Sequence, residues 1–215
     1  MTRLTLTFDN GPWSGPTEAV LDILAERGLK ATFFVVGERL RDPPARRAAE
    51  RAKAEGHWIG NHTLTHGTPL GLREDPGHPQ AEIGAAQALL GDLVHPERLF
   101  RPNGKGRLSP HLLSRAAADY LVRHRYTLVT WSNVPRDWEE PRVEWPERAL
   151  TALAGRDWDL LVLHEHYLAP MMATLPAFLD RVVGEGVTIV QEFPEACVPL
   201  RQGVAAPGFA GLVTG

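Results

Sequence analysis

A chain of 215 residues, 43% hydrophobic and 23% charged, is sized and composed for one large soluble domain with a proper core. Its net charge of −3, with no basic block or low-complexity tract, argues against nucleic acid as a partner. The single cysteine, Cys197, excludes an internal disulfide framework and a cysteine-rich metal site.

No apolar run reaches the ~18 to 20 residues of a membrane span. No basic segment followed by an apolar one opens the chain, so the sequence as written predicts a protein that stays in the cytoplasm.

The first element is a strand: Leu4, Leu6 and Phe8 alternate with Thr5 and Thr7, and Gly11-Pro12 ends it. Asp9 and Asn10 therefore sit at a strand's C-terminal lip, where chemistry collects in α/β proteins. Pro16 opens a helix carrying Val20, Leu21 and Leu24 at helical spacing, and Gly28 closes it. Ala31 to Val36 is an apolar run of strand length, suited to burial on both faces. An Ala- and Arg-rich helix covers 42 to 55, and a short strand runs from His57 to Gly60. Residues 67 to 80, with three Gly and three Pro, predict a surface loop.

The alternation continues with a helix over about 79 to 90 and a short strand ending at Phe100. Ser109-Pro110 is read as the cap of a helix through roughly Tyr120, before a strand from Tyr126 to Trp131. Pro146 opens a helix through Leu153, Asp159 to Leu163 is a strand, Thr174 to Val183 a helix, and Val187 to Val190 the last strand. About seven β/α alternations without a linker predict a single-domain α/β barrel over residues 1–200. Residues 201–215 form a Gly/Ala-rich tail, expected to be loosely ordered.

Each unusual polar cluster falls at a predicted strand end. Asp9 and Asn10 follow the first strand, His62 and His66 the third, Arg101 the fourth, Asp137 the fifth and His164 the sixth. Barrel geometry would gather them on one rim. His62 and His66 are spaced i, i+4, which on a helical turn hands two imidazoles to one metal ion. An oxygen from Asp9 or Asn10 is the candidate third ligand, leaving a position open for water.

Together these segments resemble the NodB-like polysaccharide deacetylases, carbohydrate esterase family 4, from about residue 4 to about residue 195. Thr7 to Pro12 is similar to that family's Thr-Phe-Asp-Asp-Gly-Pro, and LDILAERGLKATFFVVG (Leu21 to Gly37) to its first helix and second strand. GHWIGNHTLTH (Gly56 to His66) resembles its histidine motif, and Phe100-Arg101-Pro102 its arginine motif. WSNVPRDW (Trp131 to Trp138) and LVLH (Leu161 to His164) resemble the fourth and fifth. The resemblance implies a distorted seven-stranded β/α barrel, Asp9 as catalytic base, and His62 and His66 as metal ligands. It further implies that Arg101 charges and orients Asp9, that His164 is a general acid held by Asp137, and that Leu161 and Trp138 wall the acetyl pocket.

Several positions depart from the family pattern. Asn10 stands where a metal-ligating Asp is usual, bringing an oxygen without its charge and weakening divalent-ion affinity by about one to a few kcal/mol. Val134 replaces an acidic residue. Asn103-Gly104-Lys105 replaces Pro-aromatic-Gly, which changes the backbone at Gly104 and the sugar platform. Glu165-His166 follows His164 where Asp is common, and His166 is either a substrate contact or a solvated loop residue. Trp13, Trp58, Trp131 and Trp138 suit a carbohydrate site, though core packing is the commoner fate of Trp58 and Trp131. Trp145 and Trp158 are read as packing residues.

The expected activity is metal-dependent removal of N-linked acetyl groups from an amino sugar or polysaccharide. Zinc is the expected metal, although ligand type alone does not choose it, since two histidines and an oxygen also suit cobalt, nickel and iron. Two alternatives stand beside it: hydrolysis of a non-sugar amide on the same fold, and sugar binding by a decayed site.

Overall fold

In the computed structural model, which describes residues 1–214, the chain opens with strand β1 (Arg3–Gly11), helix α1 (Pro16–Glu26) and strand β2 (Thr32–Val35). Helix α2 (Pro43–Ala54), strand β3 (Trp58–Asn61), the short helix α3 (Ala85–Leu90) and strand β4 (Leu99–Phe100) follow. Next come α4 (Arg115–Arg123), β5 (Thr127–Leu128), α5 (Trp145–Leu153) and β6 (Trp158–Leu163). The remainder carries α6 (Glu165–Leu168), α7 (Thr174–Gly184), β7 (Thr188–Val190) and the hairpin strands β8 (Leu200–Arg201) and β9 (Val204–Ala205).

The sheet runs β6-β1-β2-β3-β4-β5 in parallel, then β8 and β9 antiparallel. β1 is its axis. One edge of β1 pairs with β6 from Arg3 to Phe8, while its other pairings are with β7 over Arg3 to Thr5 and then with β2 from Thr7 onward. An isolated parallel bridge between Asn133 and Leu161 draws the segment after β5 against β6. The sheet thus curls into a distorted β/α barrel.

Alternation along β1 sorts its side chains. Leu4, Leu6 and Phe8 join a cluster with Val20, Leu21 and Leu24 of α1 and with Phe178 of α7. Thr5 and Thr7 take the other face, fully buried, and their hydroxyls donate to the carbonyls of Glu192 (2.5 Å) and Leu161 (2.7 Å). Those bonds offset the cost of placing hydroxyls in the interior. A second cluster (Phe34, Phe100, Leu128, Leu160, Val162) fills the inside of the curl. α2 presents Ala45, Ala48, Ala49 and Ala52, so its backbone lies close to the sheet, and the Asp42 carboxylate caps it at the Ala45 N–H.

Four expectations change. The helix expected from Ser109 is a single 3₁₀ turn over Pro110–Leu112, and the true cap is Ser114, whose hydroxyl accepts from Ala117 N. Leu113 breaks the run because it bridges Val213, with Leu113 N donating to Leu212 O at 3.1 Å. The helix expected over 79 to 90 begins as a π-type turn at Gln80–Gly84 before α3. Past Leu128 the expected fifth strand leaves the ladder, and Thr130 N turns to Cys197 O at 2.8 Å. Finally, the tail is seated: Leu200 is fully buried, Phe209 and Leu212 join the inner cluster, and the Thr214 hydroxyl donates to Gly71 O at 2.9 Å. Among the described residues no helix is long and apolar enough to cross a membrane.

Candidate active site

A cleft of about 880 Å³ opens at the C-terminal ends of the parallel strands, lined by Asp9, Asn10, His62, His66, Gly104, Trp138 and His164. Strict alternation would send Asp9 and Asn10 to opposite faces of β1. Instead, the register with β2 slips between Asp9 and Gly11, and Asn10 adopts a left-handed φ of 69°. This bulge lets consecutive side chains face one cleft. Beside it, a Cβ at Gly11 would meet the carboxylate of the buried Glu165, which would have to shift.

Asp9 is buried and so is its partner. Arg101, fully buried, donates from Nη1 to Asp9 Oδ1 at 2.7 Å and to Thr7 Oγ1 at 2.8 Å. Its Nε and Nη2 donate to the carbonyls of Val129 (3.2 Å) and Thr130 (3.0 Å), and its guanidinium lies 4.0 Å over the Phe34 ring. Every face of the cation is therefore matched, the condition for holding a charge in the interior. Burial pushes the Asp9 carboxyl upward, but Arg101, with His62 and His164, outweighs it and holds Asp9 below the usual carboxylate range.

His164 shows the opposite balance. Its Nδ1 lies 2.8 Å from Asp137 Oδ1, and its backbone N–H donates to Asp137 Oδ2 at 2.7 Å. Burial pulls the imidazole pKa down, yet the Asp137 charge and hydrogen bond prevail and raise it. With Nδ1–H given to Asp137, Nε2 is the nitrogen left for the cleft. The Trp138 ring stands edge-on at 5.2 Å.

The histidine pair does not lie on a helical turn. Residues 62 to 66 form a loop in which Thr63 and His66 take left-handed φ values of 66° and 54°. Thr63 N donates to Asn61 Oδ1 and His66 N to Thr63 Oγ1, both at 3.0 Å. The loop still brings the two rings to 4.9 Å between centroids. His62 Nδ1–H donates to Arg101 O at 2.7 Å, so Nε2 carries a lone pair, and it faces Asp9 Oδ2 at 3.6 Å. Burial drives the His62 pKa down, and that of His66 to about 3, so both rings are neutral.

A divalent cation fits this corner on the chemistry of its donors. Asn10 Oδ1 is buried without a hydrogen-bond partner, the His62 Nε2 lone pair lies 3.6 Å from Asp9 Oδ2, and the neutral His66 ring lies 4.9 Å from that of His62. Among the described residues no group of three or more His, Cys, Asp or Glu is arranged to hold a metal ion by itself.

The remaining expected site residues divide. Trp138 and Gly104 line the cleft, and a Cβ at Gly104 would overlap Leu112 and Trp131. Leu161 does not: it is fully buried on the face that packs against the helices, and Val162, the next residue of β6, lines the cleft instead. The pleat explains the correction, since Val162 shares its parity with His164. Trp131 lines the cleft while Trp58 packs against His95 and Phe193. Trp13 is sandwiched between Arg39 at 3.4 Å and His166 at 4.5 Å, so neither ring face is free for a sugar.

Two contributors enter the sequence reading only as departures from the family pattern, without a role of their own. Asn103 is buried at the cleft, donating to Gly67 O at 2.6 Å with its own Oδ1 unpartnered. Glu165, fully buried behind the β1 bulge, accepts from the Thr17 hydroxyl at 3.2 Å, and burial raises its pKa to about 7. Asn103 lay in the stretch where the third motif departs, which was the available hint.

Comparison with known proteins gives a consistent answer. The family described as polysaccharide deacetylase matches residues 2–129. A chitooligosaccharide deacetylase of Rhizobium leguminosarum is 34% identical over 163 residues, covering 76% of this chain and 71% of that one. A peptidoglycan-N-acetylglucosamine deacetylase of Bacillus cereus is 30% identical over 162 residues, covering 75% and 72%. Among solved structures, a family 4 acetyl xylan esterase from Clostridium thermocellum, determined with a cobalt ion, superposes with a TM-score of 0.69 at 26% identity, covering 88% of this chain and 87% of that one.

Proposed function

The chain belongs to the polysaccharide deacetylase family, and from that premise we propose that it is a divalent-metal-dependent hydrolase removing the acetyl group from an N-acetylated amino sugar of a glycan. The observation that carries this reading is the pairing of opposed proton-transfer groups in one cleft. Asp9 is held ionised by Arg101, and His164 is held protonated by Asp137.

Hydrolysis of an acetamide gives acetate and an amine, and it needs one proton removed and one supplied. Asp9, ionised, takes the proton from the attacking water, while Arg101 fixes its carboxylate and keeps it anionic. His164, with Nδ1–H committed to Asp137, delivers a proton from Nε2 to the leaving nitrogen. Trp138 and Val162 supply cleft wall for the methyl group. Asn10, His62 and His66 would hold the cation. When bound, a divalent ion polarises the acetyl carbonyl and lowers the pKa of water. The cobalt ion with the xylan esterase and the names of the bacterial relatives support this assignment of metal class and substrate class.

The test is acetate release from N-acetylglucosamine oligomers, with the protein stripped by chelator and resupplied with zinc or cobalt. Release should return with metal and fall by roughly 10² to 10⁴ in Asp9→Asn. A folded protein that releases nothing with any metal would sink the reading.

A further inference from the structure

The carboxylate that charges His164 stands on a turn. Asp137 is fully buried, yet it belongs to no strand or helix. Upstream, Asn133 is still laced to β6, donating from N to Leu160 O and accepting from Val162 N, both at 2.9 Å. Downstream, the next regular element is the 3₁₀ turn Arg142–Glu144. In between, Arg136 O accepts from Glu139 N at 2.9 Å, which sets Asp137 and Trp138 at the two central positions of a tight turn. Arg136 enters that turn with a left-handed φ of 53°.

One side chain from outside the turn holds it on both flanks. Arg148, in α5, donates from Nε to Pro135 O at 2.7 Å and from Nη2 to Arg136 O at 3.0 Å, ahead of Asp137. Beyond Trp138, Nη2 also donates to Glu139 O at 3.3 Å, and Nη1 approaches Pro141 O at 3.5 Å. Carbonyls on both sides of Asp137 thus converge on one planar cation, a geometry that a guanidinium fork meets and an ammonium does not. Its ion pair with Glu144 is looser, at 3.7 Å. Arg148 lies outside every segment that carries the family resemblance.

We infer that Arg148 is a positioning residue for the acid half of the site: by gripping the turn from Pro135 to Pro141 it keeps Asp137 in register with His164. The inference rests on the deacetylase reading and adds a residue to its proton-delivery side. Asp137 meets His164 twice, through Oδ1 at 2.8 Å from Nδ1 and through Oδ2 at 2.7 Å from the backbone N–H, so a shift of the turn strains both bonds together. The charged groups that face His164 are Asp137, Asp9 and Glu165, and of these only Asp137 rides on the turn. Deleting a nearby cation would by itself raise the pKa of His164, so a fall on deleting Arg148 reports a displaced Asp137.

The experiment compares Arg148→Gln with the parent, both supplied with zinc, on an N-acetylglucosamine tetramer and on 4-nitrophenyl acetate. An amine leaves only with a proton, whereas 4-nitrophenolate leaves without one, so a fault in the acid slows the first substrate and spares the second. The variant's kcat should fall roughly 10- to 100-fold on the tetramer. On the ester it should fall less than about twofold. The His164 pKa, followed by NMR of the imidazole, should move down toward 6.5. Arg148→Lys, which keeps the charge without the fork, should recover part of both losses. An equal loss on the two substrates, an unchanged kcat on the tetramer, or a His164 pKa at or above the parent's overturns the inference. If Arg148→Gln does not fold, Arg148→Lys is read by the same criteria. Acetate release from neither substrate by the parent counts against the deacetylase reading alone, and the NMR titration then still decides the role of Arg148.

Discussion

The two halves of the cleft floor are finished to different degrees. On the proton-transfer side, Asp9 with Arg101 and His164 with Asp137 are closed systems, each charge met by a countercharge at 2.7 or 2.8 Å. On the other side, Asn10 Oδ1 is buried without a partner, and the His62 Nε2 lone pair faces a carboxylate oxygen at 3.6 Å. Burial shifts groups on both sides, but only the first side repays its desolvation from within the chain. The second side is left with unpaired acceptors, which the proposed cation would take up.

The largest effect should come from opening the closed side. Arg101→Met keeps the volume and deletes the cation, leaving Asp9 buried alone, and should cost roughly 3–5 kcal/mol in urea denaturation. Adding Asp9→Asn to it should restore part of that loss. A single variant as stable as the parent would show that Asp9 does not depend on its partner. Asp137→Asn acts on the acid. Its carboxylate raises the His164 pKa above 6.5, so the protonated form persists to higher pH and is lost as pH rises through the raised value. Removing Asp137 should move the alkaline limb of the rate profile to lower pH. An unmoved limb would take the general-acid role away from His164.

The open side should give a smaller and conditional effect. Zinc or cobalt at about a hundred times its dissociation constant should stabilise the fold by roughly 2.7 kcal/mol, read as a rise in Tm. The rise should vanish in His62→Ala. Equal stabilisation of that variant would place the ion elsewhere.

Much of this was legible in the sequence, and the failures have physical causes. β1, β2 and α1 were readable because alternation, an apolar run and a Pro-to-Gly frame each agree with their burial. Asp9, Arg101, Asp137 and His164 could be placed near one another because each ends or follows a parallel strand. Leu161 was misassigned because both faces of β6 are apolar, so nothing in LVLH marks which parity points inward. The histidine loop and the Asn10 bulge depend on left-handed backbone at non-glycine residues, which no composition signal announces. Ser109 is not the cap, and nothing local announces Ser114 in its place, because the partner of Leu113 lies at Val213, a hundred residues away. Long-range pairing of that kind also seats the tail.

The finest test of the contrast is Asn10→Asp, which supplies the anion usual in the family. With a cation present, a charged ligand in place of an amide should tighten binding by about tenfold or more, read by calorimetry. Without the cation the same change sets a second carboxylate beside Asp9, where like charges in a buried site repel. The stripped variant should therefore melt below the stripped parent, and the loaded variant at or above the loaded parent. That crossing distinguishes a metal corner from a merely polar one. If the aspartate lowers stability equally in both conditions, the orphaned amide oxygen is a packing accident, and the two halves of the floor differ only in how well they are satisfied.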